Sequence, residues 1–192
     1  MSDPRCHWCH DDALYMDYHD KEWGIPCHDD QKLFEFLILE GAQAGLSWIT
    51  VLKRREGYRN AFHHFDVHQV AQMSEEDIER LMSDTNIIRN RLKINSAIKN
   101  AKAFINVQQE FGSFDQFLWS YVNGKPVINQ RQSMSDVPAT TALSDLLSKD
   151  LKKRGFSFVG STICYAYMQS MGLVNDHLVT CPAYQVRFVC VV

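Results

Sequence analysis

Residues 5–12, RCHWCHDD, set Cys6, Cys9 and His10 in the pattern Cys-x-x-Cys-His. That spacing is the attachment pattern of a c-type haem, and it equally suits one corner of a zinc site. A second pair stands in NDHLVTC, where His177 and Cys181 are four apart. On a helical turn such a spacing brings both side chains to one face. A tetrahedral zinc site needs two further ligands. Cys6 with Cys9 is one candidate pair, and Cys6 with His19 is the other. Taken singly, His177 reads as a hydrogen-bonded structural histidine and Cys181 as a small buried hydrophobe. Taken with the N-terminal cysteines they would staple two distant parts of the chain. Four protein ligands leave no open position for chemistry, so such a metal would be structural.

A second group of residues suggests binding. Glu40 closes the run LFEFLILE, three residues after Leu37 and seven after Leu33. That phase turns its carboxylate toward the apolar face of a helix. Desolvating a carboxylate costs about several kcal/mol, so buried ones are rare unless paired. The plain alternative is a Glu that reaches water at a helix end. Tyr15, Tyr18, Trp23 and Trp48 stand nearby in sequence, and Tyr15 and Tyr18 are spaced to share a helix face. Aromatic stripes usually build cores. An acid among aromatics is what a pocket for a flat, cationic heterocycle requires.

The elements that must position these groups are helical. DDQKLFEFLILEGAQ begins with Asp29 or Asp30 as a cap and places Leu33, Phe34, Leu37 and Ile38 at helical spacing. LSWITVLKRREGYRNAF reads as the next helix, entered through a turn at Gly45. SEEDIERLMSD opens on the capping pair Ser74 and Asp77. IIRNRLKINSAIKNAKAFINVQQEFG reads as one long helix ended by Gly112, and TALSDLLSKDLKKRGF and STICYAYMQSMG as two more. No run alternates with period two, so the chain is expected to be all-α. NGKPVINQRQSMSDVPATT is the one long polar connection and reads as a surface loop.

With 192 residues the chain can bury a real core in a single unit. The first fifteen residues lack a signal-like apolar run, and nothing approaches the roughly 18 apolar residues of a membrane span. A cytoplasmic location is the expectation, with its six cysteines reduced and used for metal or burial. That location also argues against covalent haem. The net charge of −3 does not announce a nucleic-acid binder, yet cations cluster at Lys53, Arg54 and Arg55, at Arg89, Arg91 and Lys93, and at Lys149, Lys152, Lys153 and Arg154. Separate, these are solvated helix faces; convergent, they would make a phosphate footprint.

YMDYHDKEWGIP, LILEGAQAGLSWITVLKRRE, IIRNRLKI and LKKRGFSFVGSTICYAYMQSMGLVNDH closely resemble motifs of the bacterial 3-methyladenine DNA glycosylase I family, over about residues 5 to 181. The resemblance implies a helix-hairpin-helix glycosylase fold forming one unit over residues 1–192. Its helix-hairpin-helix element would span about 75–105, with backbone N–H groups around 84–91 gripping phosphates. Residues 1–24 and about 160–192 would form a zinc-stapled lobe. The implied activity is monofunctional hydrolysis of the N-glycosidic bond of 3-methyladenine in double-stranded DNA. Water is the nucleophile, and the products are the free base and an abasic site. One structural zinc would sit on Cys6, His19, His177 and Cys181, leaving Cys9 and His10 as bystanders. The base pocket would comprise Tyr18, Glu40 and Trp48, with Trp8 and Tyr15 close by. Glu40 would act mainly in recognition, because methylation at N3 already makes the base a cationic leaving group. Gly45 and Leu46 would approach the DNA where the flipped nucleotide leaves the stack. Arg89, Arg91, Lys93, Lys152 and Lys153 are the expected DNA contacts, and a monomer suffices for one lesion. Two positions depart from relatives that carry Gly: Asn86 tolerates positive φ, whereas Leu92 does not adopt it cheaply. A non-catalytic DNA-binding module would keep the basic clusters but has no use for Glu40 among aromatics. A zinc hydrolase would need an open coordination position.

Overall fold

Ten consecutive residues, Leu33 to Ala42, are buried, so the helix they form is enclosed on every face rather than amphipathic. In the computed structural model, which describes residues 5–10 and 12–186, this helix is the axis of the molecule. The elements are α1 (Ala13–Lys21), α2 (Asp30–Gln43), α3 (Trp48–Leu52), α4 (Arg55–Ala61), α5 (Val67–Ala71), α6 (Glu75–Ser83), α7 (Arg91–Phe111) and α8 (Phe114–Ser120), followed by β1 (Val127–Ile128), α9 (Ala142–Lys153), α10 (Ser161–Ser170), β2 (Val174–Asn175) and α11 (Pro182–Val186). The axial helix is α2, wrapped by α3, α7, α8 and α10. No helix among the described residues is long and apolar enough to cross a membrane.

Local chemistry sets the helix ends. Asp29 caps α2 by accepting from the Lys32 amide at 2.7 Å. Asp30 reaches the other way, its two oxygens accepting from the first amides of α8, Phe114 at 2.9 Å and Asp115 at 2.8 Å. Ser74 and Asp77 form the expected capping box on α6. A seven-residue connection, 84–90, then turns the chain into α7, which Asn90 caps at the Lys93 amide. The sequence reading ran this helix back through IIRN. Instead Ile87 is buried as the anchor of the connection, and Asp84 accepts from the Asn86 amide at 2.8 Å. Asn86 and Leu92 are not among the residues with positive φ, and Leu92 lies in the first turn of α7 with its side chain in solvent. Neither departure strains the backbone.

Two further differences have simple causes. LSWITVLKRREGYRNAF makes two helices, α3 and α4, because the turn at Lys53 and Arg54 redirects the chain. The polar connection is also not merely a surface loop. Val127 and Ile128 pair in parallel with Val174 and Asn175, and Val179 N–H donates to the Arg131 carbonyl at 2.9 Å. Among the described residues the all-α expectation therefore holds apart from one two-residue ladder and the single bridge of Arg131 with Leu178, too short for alternation to reveal.

Gly57 shows where the 84–90 connection is held. A Cβ there would lie 2.3 Å from the Asn86 carbonyl oxygen, closer than any real contact. Gly57→Ala is thus expected to push the connection off α4 and to cost about 1–3 kcal/mol of stability, the ordinary scale of overpacking. Chemical denaturation checks this; an unchanged midpoint would mean that the two segments separate freely.

Candidate active site and metal cluster

Tyr15 and Tyr18 share one face of α1, which Asp12 caps at the Leu14 amide. Trp8, on a single 3₁₀ turn before it, packs on Tyr15 at 4.8 Å and edge-on to Trp23 at 5.0 Å between ring centroids. Tyr18 lies 5.5 Å from Trp48 of α3, and Phe36 of α2 backs both rings. These aromatics enclose a cavity of about 220 Å³, and Glu40 forms part of its lining. The resemblance-based set of Trp8, Tyr15, Tyr18, Glu40 and Trp48 is therefore one site. The sequence reading missed Gln43, Met134, Val137, Ala166 and Gln169, which complete the walls. Met134 and Val137 come from the polar connection, where two apolar side chains were the available signal.

Glu40 is buried, as the sequence predicts, within a helix enclosed on every face. It is 3% exposed, and burial raises its carboxyl to about 8, with the Ser170 hydroxyl only partly offsetting that cost. Burial likewise pushes the Tyr18 phenol well above its ordinary value, with the Glu40 charge adding to the shift. The Trp48 indole N–H is buried without a hydrogen-bond partner. The cavity thus combines a titratable acid with tilted and edge-on aromatic rings.

Beside this cavity, Cys6, His19, His177 and Cys181 bring their ligand atoms within 4.8 Å of one another, all buried. Cys181 Sγ lies 3.5 Å from His19 Nε2 and 3.7 Å from His177 Nδ1, and Cys6 Sγ lies 3.7 Å from the same Nδ1. The remote nitrogen of each ring has an acceptor: Asp20 for His19 at 2.8 Å and the Trp23 carbonyl for His177 at 3.1 Å. Those acceptors place the ring protons away from the sulfurs, so two nitrogen lone pairs face inward. Cys9 is not in the group; its thiol donates to the Cys6 carbonyl at 3.1 Å. His10 faces the Arg5 carbonyl. His177 and Cys181 meet through an irregular turn, not the helical turn that their spacing suggested.

The cations are more engaged than their clustering implied. Arg55 is buried, donating to Glu35 at 2.6 Å and to both oxygens of Glu22 at 2.6 and 3.0 Å, with its guanidinium over the Phe36 ring. Arg91 reaches Glu75 and Glu79, and Arg154 reaches Glu110 and Asp150. Lys93 sets its ammonium on the Ala42 and Ala44 carbonyls at 2.8 and 2.7 Å, closing the C-terminus of α2 where the helix dipole favours a cation. It thereby ties down the turn of Gly45, which is left-handed at φ +79°, and Leu46, which is exposed. Arg89, Lys152 and Lys153 face solvent.

The methyladenine glycosylase family model matches residues 8–184. The chain belongs to the methyladenine glycosylase family. DNA-3-methyladenine glycosylase 1 of Escherichia coli (strain K12) is 56% identical over 180 residues, 94% of this chain and 96% of that protein. The DNA-3-methyladenine glycosylase of Haemophilus influenzae is 54% identical over 93% of this chain and 96% of its own length. The structure of 3-methyladenine DNA glycosylase I from Staphylococcus aureus superposes with a TM-score of 0.91 at 42% identity, covering 93% of this chain and 95% of that one. The aromatic cavity of this family member thus has a defined context, and its acid has a measurable signature.

An acid whose folded pKa is raised ionises first in the unfolded chain. Stability is therefore lost as pH rises from the unfolded value near 4.5 to the folded value of about 8, and changes no further above it. Glu40→Gln removes that term. Urea unfolding at pH 5, 7 and 9 is expected to show the variant gaining on the parent by several kcal/mol between pH 5 and 8, at about 1.4 kcal/mol per unit. Parallel curves would place the carboxyl in water.

Proposed function

We infer that this chain excises 3-methyladenine from alkylated DNA by hydrolysing its N-glycosidic bond, which releases the free base and leaves an abasic site. The observation that carries this reading is a buried carboxyl lining an aromatic cavity, in a chain whose close relatives are named as 3-methyladenine DNA glycosylases. Chemistry on a base requires the nucleotide to leave the stack. Trp48 and Tyr18 offer π faces to the flipped ring. Glu40 as carboxylate accepts from the exocyclic amine and favours the positive charge carried by the methylated ring. That charge makes the base a good leaving group, so water suffices as nucleophile and no lysine need form a Schiff base. A non-catalytic DNA-binding module would bear the cost of drying Glu40 for nothing.

Cys6, His19, His177 and Cys181 suit a structural zinc. Tetrahedral zinc at about 2.3 Å from sulfur and about 2.0–2.1 Å from nitrogen sets those ligands about 3.6 Å apart. The sulfur–nitrogen separations of 3.5 to 3.7 Å match that edge. The metal would brace the lobe made by the N-terminal and C-terminal segments and would supply no catalytic step. DNA is held, on this reading, by a helix-hairpin-helix element, α6 with 84–90 and the start of α7. Exposed Leu46 fills the stack, and Arg89, Lys152 and Lys153 meet phosphates. Arg91 and Lys93 act from their internal partners, through hairpin geometry and the Gly45 turn. The chain acts as a monomer on double-stranded DNA in the cytoplasm.

Release of free base from alkylated DNA tests the activity. Glu40→Gln is expected to reduce excision and binding of free 3-methyladenine about ten- to a hundredfold, the loss of one charge-assisted bond of roughly 1.5–3 kcal/mol. Binding to undamaged duplex should stay level, because phosphates supply it. Excision unaltered in the variant would remove Glu40 from the site.

Metal analysis tests the second part. Zinc at one ion per chain is expected, lost in Cys6→Ser and His19→Ala and kept in Cys9→Ser. Loss of metal in Cys9→Ser alone would overturn the ligand set.

A further inference from the structure

Asp176 is buried and surrounded by donors: Asn129 Nδ2 at 2.8 Å, Arg131 Nε at 2.9 Å, Gln169 Nε2 at 2.8 Å and the Tyr165 hydroxyl. A carboxylate paired with a guanidinium can only accept, so the side-chain amide of Gln169 must turn its NH₂ toward it. The amide carbonyl, Oε1, is then left over, and Gln169 is one of the residues lining the base cavity. Its position on α10 fits this double task. Gln169 follows Tyr165 by one turn, so both reach Asp176, and it follows Ala166 by three, so both face the cavity.

Asp176 also controls the opposite wall. Arg131, which it holds, donates from Nη1 to the Asp136 carbonyl at 2.9 Å, within the turn Met134–Asp136 that brings Met134 and Val137 to the cavity. One carboxylate therefore orients a polar group on α10 and the apolar wall facing it.

We propose that Gln169, its amide fixed by Asp176, is a second specificity determinant of the base pocket, its carbonyl accepting from the exocyclic amine of the flipped base. That amine carries two hydrogens, and Glu40 can satisfy one. A purine with no amine at that position gains nothing from Gln169. The proposal rests on the assignment of 3-methyladenine as the base bound. Gln169 contacts the base directly; Asp176 is a positioning residue.

The test compares free 3-methyladenine with 3-methylpurine, which lacks the exocyclic amine. Gln169→Met keeps length and removes the acceptor. It is expected to weaken 3-methyladenine binding about three- to tenfold, the scale of one neutral hydrogen bond, and 3-methylpurine binding less than twofold. Asp176→Asn frees the amide to flip, and should lower the ratio of the two affinities in the same direction. Combined with Gln169→Met it should add nothing further to that ratio. A structural role for either residue would weaken both ligands alike. Equal losses, or none, in Gln169→Met overturn the proposal. So does a structure of the 3-methyladenine complex with Oε1 beyond hydrogen-bond reach of the exocyclic nitrogen. If the parent protein binds no 3-methyladenine at all, the functional reading fails instead, which is a separable result.

Discussion

The design turns on keeping one carboxyl dry. Raising Glu40 to about 8 means that its charged form is disfavoured by several units, each worth about 1.4 kcal/mol. An empty pocket at neutral pH therefore holds mostly the protonated acid. A cationic guest reverses the balance, because the ion pair forms where no water competes. The pocket thus discriminates by charge as well as by shape. An uncharged adenine of similar outline gains the stacking without the electrostatic term. Enclosing α2 on every side is what makes this possible, since a helix with a wet face would have let Glu40 reach solvent.

Drying the acid requires walls, and these come from distant parts of the chain. Trp8 stands between Cys6 and Cys9, and Tyr18 directly precedes His19. Tyr18 therefore sits directly beside one member of the Cys/His cluster and Trp8 two residues from another, so the cluster and this wall of the cavity share the same short segments. The link joins residues 171 apart along the chain, Cys6 with His177. If the cluster holds the proposed zinc, a cross-link over so long a loop would remove much conformational freedom from the unfolded state. The opposite wall relies on hydrogen bonds, with Asp176 directly preceding His177 and gathering Asn129, Arg131, Tyr165 and Gln169. One short segment, Asp176 and His177, thus serves both sides of the cavity.

The sequence disclosed those parts whose physics is local. Glu40 is buried as its phase with Leu33 and Leu37 predicts, although the enclosure of α2 on every face would have dried any phase, and the Ser74–Asp77 box caps its own helix. Residues were missed where partners are remote. Nothing near Gln169 announces Asp176, and nothing in the polar connection announces that Val127 pairs with Val174. The basic clusters misled for the same reason. Lys53, Arg54 and Arg55 are adjacent in sequence, but helix geometry turns Arg55 inward to Glu22 and Glu35, while Lys53 meets Asp12 at the surface. The choice between Cys9 and His19 was likewise beyond spacing alone, because it depends on which way a 3₁₀ turn directs the Cys9 thiol.

Among the described residues many cations, Arg55, Arg91 and Arg154 among them, are paired with carboxylates of the chain, and the net charge is −3. Each phosphate neutralised contributes to affinity for any sequence, damaged or not. A large basic face would hold the protein on intact DNA, where it has nothing to do. On the proposed reading, helix-end amides, exposed Leu46 and exposed cations such as Arg89, Lys152 and Lys153 would keep that general grip weak. On the proposed reading, the free energy that separates lesion from normal base would come from inside the cavity, through stacking and the Glu40 charge. A methylated base also flips at lower cost when its pairing is already impaired. Weak hold outside and a dry, charge-sensitive pocket inside are two halves of one solution, since either alone would bind DNA without telling its bases apart.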